Sequence, residues 1–298
     1  MNDVSSAFET SHLSKRFGAT LALDDVSLRL VRGSVAGLVG KNGSGKTTLF
    51  RCLAGLALPS GGVSRVLGKE SGELGDEDLA RIGLVQQESR FLPWMRVRQH
   101  LDYVGSFYER WDEARARRLL GELELDESAR IGTLSPGNAQ KLALISAVCH
   151  RPLLLFLDEP VSALDPIARE TLFRFLLDLL REDGTTIVIS SHALRDVERV
   201  VDWIVCLEGG RIVVDAALDD LRERYAEWRV VAKNGGLPAR FDEPFVLEQR
   251  GDPSQALLCV RDAGAYQDAF AKKYQADVEV APLNLERMFP LWVEGGRA

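Results

Sequence analysis

Between Val35 and Val39 five residues in a row carry no charge or hydrogen-bonding side chain. After a gap of glycines and small polar residues, the chain resumes as Leu49-Phe50-Arg51-Cys52-Leu53-Ala54, with apolar positions at helical spacing. The unbroken run predicts a strand buried on both faces, and the spaced one predicts a helix. Upstream, Phe8 to Leu13 and Asp24 to Leu30 predict two more strands, with Arg32-Gly33 as the turn that follows them. Downstream, Pro59 to Ser64 reads as a turn into a strand, Asp76 to Ala80 as a short helix and Ile82 to Val85 as a core strand. Val97 to Tyr108 and Asp112 to Leu123 predict helices that break at Trp111-Asp112. A third, Ala139 to Cys149, is opened by Ser135 as N-cap and Pro136 in the first turn.

Leu153 to Leu157 is the next apolar run, and it predicts another fully buried strand of a parallel sheet. Ile167 to Leu180 then predicts a helix, Thr185 to Ile189 a strand, and Trp203 to Val214 a hairpin about Glu208-Gly209-Gly210. The helix Leu218 to Tyr225 closes a first domain, residues 1–225, whose helical part is about 88–150. Residues 226–298 predict a small α/β domain. Its strands are Trp228 to Ala232, Phe245 to Glu248, Ala256 to Val260 and Val278 to Val280, with helices Tyr266 to Tyr274 and Leu283 to Phe289.

The strand and helix that open this reading flank Gly40-Lys41-Asn42-Gly43-Ser44-Gly45-Lys46-Thr47-Thr48. Strand, glycine-rich loop and helix form the context in which G-x-x-x-x-G-K-[ST] cradles phosphate. Gly40, Gly43 and Gly45 permit a close approach of backbone N–H groups to phosphate oxygens, and the helix N-terminus adds donors and positive potential. Lys46 is placed to reach the β- and γ-phosphates, and the Thr47 hydroxyl to ligate Mg²⁺.

Other candidates stand at strand ends. Asp158 and Glu159 close the Leu153–Leu157 strand, where ligands bind in open α/β sheets. Ionised carboxylates there are costly unless paired or metal-bound. Asp158 suits the Mg²⁺ shell, and Glu159 a general base that orients water on the γ-phosphate. Gln87, just past a strand tip, can direct its carbonyl at a metal or at the attacking water. His192 stands at the same sheet edge and can meet a γ-phosphate, whereas His12, His100 and His150 have no partner that the sequence names. Phe17 either stacks on a base or packs on its own sheet. Phe91-Leu92-Pro93-Trp94-Met95 is either a docking surface or a plug over the domain's own helices.

The composition, 46% hydrophobic and 27% charged over 298 residues, is that of an ordinary globular chain with room for a full core. A net charge of −7 argues against a broad nucleic-acid footprint. Arg115, Arg117 and Arg118 read as one solvated helix face with Glu113 and Glu122. Cys52, Cys149, Cys206 and Cys259 have no metal or redox spacing and read as reduced, buried thiols. No apolar run is long enough to span a bilayer and Met1 to Ser6 does not resemble a signal peptide, so the expected address is the cytosol.

Taken together these residues resemble the ATP-binding cassette (ABC) ATPase family over roughly Phe8 to Tyr225. Gly40 to Thr48 matches Walker A, with Asn42, Ser44 and Thr48 among its ATP contacts and Lys41 where proline is common. Gln87 matches the Q-loop, Leu134 to Asn138 the signature, Leu153 to Glu159 Walker B, Ser162 to Asp165 the D-loop, His192 the H-loop and Phe17 the aromatic A-loop. The resemblance implies an α/β P-loop NTPase cassette: a mixed-sheet core with an antiparallel β subdomain and a helical subdomain. It also implies a head-to-tail dimer, homomeric or with a related cassette, in which Ser135, Gly137, Asn138 and Asp165 contact ATP held by the other subunit. Its cofactors would be ATP and Mg²⁺, the latter on Thr47, Gln87 and Asp158. Its partner would be a separate integral membrane permease and not nucleic acid, which places the chain peripherally on the inner face of the membrane. The signature here is L-S-P-G-N where the family has L-S-G-G-Q. The closing helix resembles those of multidrug, antibiotic or lipid exporter cassettes, which implies export; the C-terminal domain otherwise reads as an appendage that stabilises the dimer. A soluble cassette ATPase of DNA repair or translation is the alternative, and a P-loop kinase would leave the signature and His192 unexplained.

Overall fold

A computed structural model describes residues 6–192 and 194–294. The N-terminal residues 1–5, on which most of the signal-peptide reading rests, lie outside the described residues. Two compact units emerge, one from the described residues of 1–193 and 203–215, the other from those of 194–202 and 216–298.

In the first unit β1 (Ser6–Phe17) and β2 (Thr20–Val31) form a long antiparallel hairpin. Both run further than their apolar cores predict, because pairing carries the ladder across polar positions. β3 (Val35–Val39) follows, then the glycine loop and α1 (Lys46–Leu53). β4 (Gly61–Val66) and β5 (Lys69–Glu70) join the hairpin in a four-stranded sheet of order β2-β1-β4-β5. α2 (Asp76–Leu79) and β6 (Ile82–Val85) lead to the helices α3 (Val97–Gly105), α4 (Glu113–Glu122) and α5 (Pro136–Val148). β7 (Leu154–Asp158), α6 (Pro166–Asp178), a π-helical turn at Leu179–Asp183 and β8 (Thr186–Ser191) come next.

The second sheet has six strands in the order β10-β9-β3-β8-β7-β6, with β9 at Trp203–Glu208 and β10 at Arg211–Ala217. Five of them run parallel. β3, β7 and β8 are buried throughout, which is why they read as unbroken apolar runs. The parallel register brings Val39 beside Ser191 and Cys206, and Asp158 beside Ser190. The glycine loop, the two carboxylates and His192 therefore leave the sheet at one edge. Phe156, fully buried, anchors the core below that edge, with the rings of Phe50 and Phe8 centred 5.2 and 6.1 Å away.

In the second unit α7 (Leu194–Val197), α8 (Leu218–Arg224) and α10 (Leu285–Glu294) accompany an antiparallel sheet of order β12-β13-β11-β14. Its strands are β11 (Tyr225–Ala232), β12 (Val246–Gly251), β13 (Gln255–Arg261) and β14 (Ala276–Pro282), with α9 at Ala263–Tyr274. Trp228 is fully buried there, edge-on to Phe245 and Phe270.

Several expectations change. Arg115 is buried, not solvated: its guanidinium binds Asp183 at 2.7 Å and lies 3.7 Å from Asp112. Its charge is met in the interior, which residue spacing along one helix cannot show. Each unassigned histidine has a partner: His12 on Asp25, His100 on the Ser146 hydroxyl, and His150 on the Ile82 carbonyl, stacked on Tyr108. α5 starts at Pro136, three residues before the first apolar-periodic position, because Ser135 and Pro136 close its first turn. All four cysteines are free and buried, and burial raises each thiol pKa, that of Cys149 and Cys206 to about 12.

Candidate functional site

The loop from Gly40 to Gly45 is held in conformations that side chains oppose. Gly43 and Gly45 have φ of 81° and 112°. A Cβ on Gly40 would lie 2.3 Å from the Leu207 carbonyl oxygen, and one on Gly45 would lie 2.6 Å from that of Ala22. The loop is therefore walled by β2 and β9 and wraps tightly. Lys46 at its end is buried, and its ammonium donates to the carbonyls of Gly40 and Lys41 at 2.8 and 3.2 Å. Burial lowers its pKa from the ordinary lysine value, against the opposing pull of Glu159 and Asp158.

The Thr47 hydroxyl donates to Asp158 Oδ2 at 2.6 Å, and the Ser190 hydroxyl to Asp158 Oδ1 at 2.5 Å. Ser190 Oγ in turn accepts the Glu159 N–H at 3.0 Å. Glu159 takes φ of 51°, a left-handed conformation uncommon outside glycine, so its side chain departs from the line of β7. Its Oε2 lies 2.7 Å from His192 Nδ1. Glu159 is buried, whereas the imidazole side chain is 63% exposed. Thr47, Asp158, Ser190, Glu159 and His192 thus form one hydrogen-bonded chain across β7, β8 and α1. Ser190 was not singled out from the sequence; its only signal is its place at the end of a core strand.

Two features fit this edge to a phosphate. The Ser44 hydroxyl, in the loop's wall, is buried without a hydrogen-bond partner, as expected of a group whose partner is a ligand. The loop also presents backbone N–H groups at the start of α1, where no side chain caps the helix. Thr47 Oγ1 and Asp158 Oδ2, already adjacent, are hard oxygen donors suited to Mg²⁺, which takes one or two protein ligands and fills its shell with phosphate oxygens and water.

Gln87 lies with Thr47 on a cleft of about 870 Å³ whose walls include Arg51, Leu84, Phe91 and Tyr108. Trp94 is 68% exposed, so its ring does not plug the helices, whereas Phe91 packs edge-on against His100 of α3 with ring centres 5.0 Å apart. The Phe17 ring is 49% exposed with the Lys15 ammonium over its face, which leaves a surface on which to stack. Ser135 caps α5 by accepting the Asn138 N–H, and Asp165 caps α6 by accepting from Ile167 and Ala168. Those backbone bonds hold the Asp165 carboxyl below its ordinary pKa. Gly137 packs against the Ala163 backbone so closely that a Cβ would sit 2.7 Å from its oxygen. Signature and D-loop thus meet at this contact, and the D-loop is tied back to the cradle's edge by the Ser162 hydroxyl, which donates to the Glu159 carbonyl at 2.9 Å.

Comparison with known proteins agrees with this geometry. The family model described as ABC transporter matches residues 23–162. The aliphatic sulfonates import ATP-binding protein SsuB 1 of Burkholderia lata is 38% identical over 70% of this chain, which spans 63% of that protein's length. The SsuB protein of Ralstonia nicotianae is 34% identical over 88% of this chain and 87% of its own. Among solved structures, an ATP binding subunit of an ABC transporter superposes with a TM-score of 0.66 at 27% identity, covering 72% of this chain and 92% of that one. The cassette fold expected from the motifs is therefore the observed one. A match that runs along most of both sequences fixes the family, and this chain belongs to the ATP-binding proteins of ABC transporters.

Proposed function

We propose that this chain is the ATP-hydrolysing subunit of an ABC transporter, working as a head-to-tail dimer on a separate membrane permease. The observation that carries it is the chain of hydrogen bonds from Thr47 through Asp158, Ser190 and Glu159 to His192 beside the cradle. On this reading Gly40 to Thr48 bind the triphosphate, Lys46 leaves the loop carbonyls for the β- and γ-phosphates, and Phe17 stacks on the adenine. The Glu159 carboxylate accepts a proton from water aligned on the γ-phosphate, whose bond to the departing ADP breaks, and His192 holds that carboxylate and the transferred phosphoryl oxygens in place. Gln87 orients the same water. Mg²⁺, held by Thr47 and Asp158 with Gln87 in reach, would neutralise charge between the β- and γ-phosphates. Ser135, Gly137, Asn138 and Asp165 act on nucleotide bound to the partner subunit. Pro136 offers that nucleotide no N–H, which weakens the contact relative to a glycine there.

Phosphate release by the purified chain tests this reading. Mg²⁺-dependent turnover that rises with protein concentration is expected, and the absence of hydrolysis at any concentration, alone and with a permease, would sink it.

On this reading the permease docks near Gln87 to Met95. Among the described residues no helix is long and apolar enough to cross a membrane. Trp94, Tyr103 and Phe107 stand exposed on the helical side of the cassette, a composition typical of a docking surface. Trp94→Ala is expected to weaken permease association about tenfold or more, in the range of an aromatic anchor, and to leave soluble ATPase activity within twofold. Co-purification with the permease and phosphate release, measured side by side, check it; equal loss of both would assign Trp94 to the fold. Both sulfonate relatives are transport proteins by name, which favours this reading over a soluble cassette of DNA repair or translation. An outward direction has the C-terminal helix behind it, whereas both relatives are named for import. Substrate movement in vesicles that contain the permease decides between them.

A further inference from the structure

The two helices that present the trans contacts are fastened together at their far ends by a cluster of four charges built around the buried Arg115. α5 carries Ser135 and Gly137 at its N-terminus, and α6 carries Asp165 at its own. At the opposite end, Arg115 from α4 donates to the Val148 carbonyl in the last turn of α5 at 3.3 Å, and to Asp183 in the π-helical turn after α6 at 2.7 Å. Asp112 caps α4 and accepts from Arg151, just past α5, at 2.8 Å; Arg151 also lies 3.7 Å from Asp183. The Arg115, Asp183 and Asp112 side chains are only 5%, 13% and 16% exposed.

Burying a guanidinium between two largely buried carboxylates stabilises a fold poorly compared with apolar packing of the same volume. What such a cluster supplies is direction: a guanidinium fork fixes its partners in angle as well as distance. π-Helical turns are uncommon and tend to occur where a helix serves a function. Thirteen residues make α5 about 20 Å long, so a tilt of about 3° at its C-terminus moves Ser135 by about 1 Å. A shift of that size can cost about 10²-fold in a reaction that depends on positioning. At the near end Gly137 already touches the Ala163 backbone without spare room, so the pair α5 and α6 is pinned at both ends.

We propose that Arg115 and Asp183, with Asp112 and Arg151, are positioning residues that set the spacing of the signature and D-loop for the second subunit's nucleotide. The proposal rests on the dimeric ATPase reading. It assigns these residues no contact with nucleotide in their own subunit.

The test uses the full chain as Arg115→Lys, Asp183→Asn and Arg151→Ala, with folding checked by thermal melts. Affinity for a fluorescent ATP analogue, measured at protein concentrations below association, is expected to stay within twofold of the parent. The protein concentration for half-maximal specific ATPase activity is expected to rise at least about fivefold, the low end for energetic coupling between sites. A folded Arg115→Lys with the parent's half-maximal concentration would overturn the proposal, as would nucleotide affinity that falls in step with activity. If Arg115→Lys does not fold, Arg151→Ala decides by the same two readings, since that guanidinium is half exposed and its loss leaves no unpaired cation inside. A parent protein whose activity shows no dependence on concentration would instead sink the dimer reading, and this proposal with it.

Discussion

Glu159→Gln is expected to bind Mg·ATP, to remain dimeric with it, and to release phosphate at least about 10²-fold more slowly than the parent, the lower bound for losing a general base. The substitution keeps the shape and an oxygen that can still accept the His192 Nδ1–H, now at 2.7 Å, but removes the basicity. ATP closes the dimer only to the extent that it binds the closed state better than the open one. On the proposed reading the γ-phosphate contacts of Ser135 and Gly137 supply that difference, and without hydrolysis they persist. Light scattering with and without Mg·ATP reads the outcome. A protein that turns over at the parent's rate would remove Glu159 as base. One that stays monomeric with ATP bound would mean that Pro136 and Asn138 have disabled the trans contact, so that closure needs the permease or a different cassette partner.

Lys46→Ala is expected to act one step earlier, on binding itself. A charge-assisted hydrogen bond contributes about 1.5–3 kcal/mol, so nucleotide affinity should fall about 10- to 100-fold. The folded state changes as well. The ammonium is buried among the Gly40 and Lys41 carbonyls with Glu159 and Asp158 nearby, and its removal leaves those oxygens and carboxylates without their cation. Nucleotide titration calorimetry and a melting curve separate the two effects. Calorimetry that gives the parent's affinity would show that Lys46 holds the empty loop together and does not bind phosphate.

The difference between these variants follows from how the site is built. Lys46 belongs to a loop whose glycines and flanking elements lie within a dozen residues, and local chemistry is enough to predict its role. Glu159 is hydrogen-bonded to His192, thirty-three positions later, and that bond exists because β7 and β8 are parallel neighbours in register.

By itself the sequence determined the elements whose causes are local. Apolar runs gave β3, β6, β7 and β8 to within a residue or two, because strands buried in a parallel sheet are apolar along most of their length, polar side chains entering only where they are hydrogen-bonded. Ser135 and Pro136 marked the start of α5 through capping chemistry that needs only adjacent residues. The glycine pattern specified a cradle because glycines between a strand and a helix let backbone N–H groups approach a phosphate closely. Tertiary structure decided what depends on partners distant along the chain. Strand order placed Asp158 on Thr47 and made Ser190 a bridge between the two carboxylate residues. It buried Arg115, which helical spacing alone assigns to solvent, because Asp183 arrives from sixty-eight residues away to receive its charge. A buried ion is stable only beside its counter-ion, and which residue supplies that counter-ion is a property of the fold.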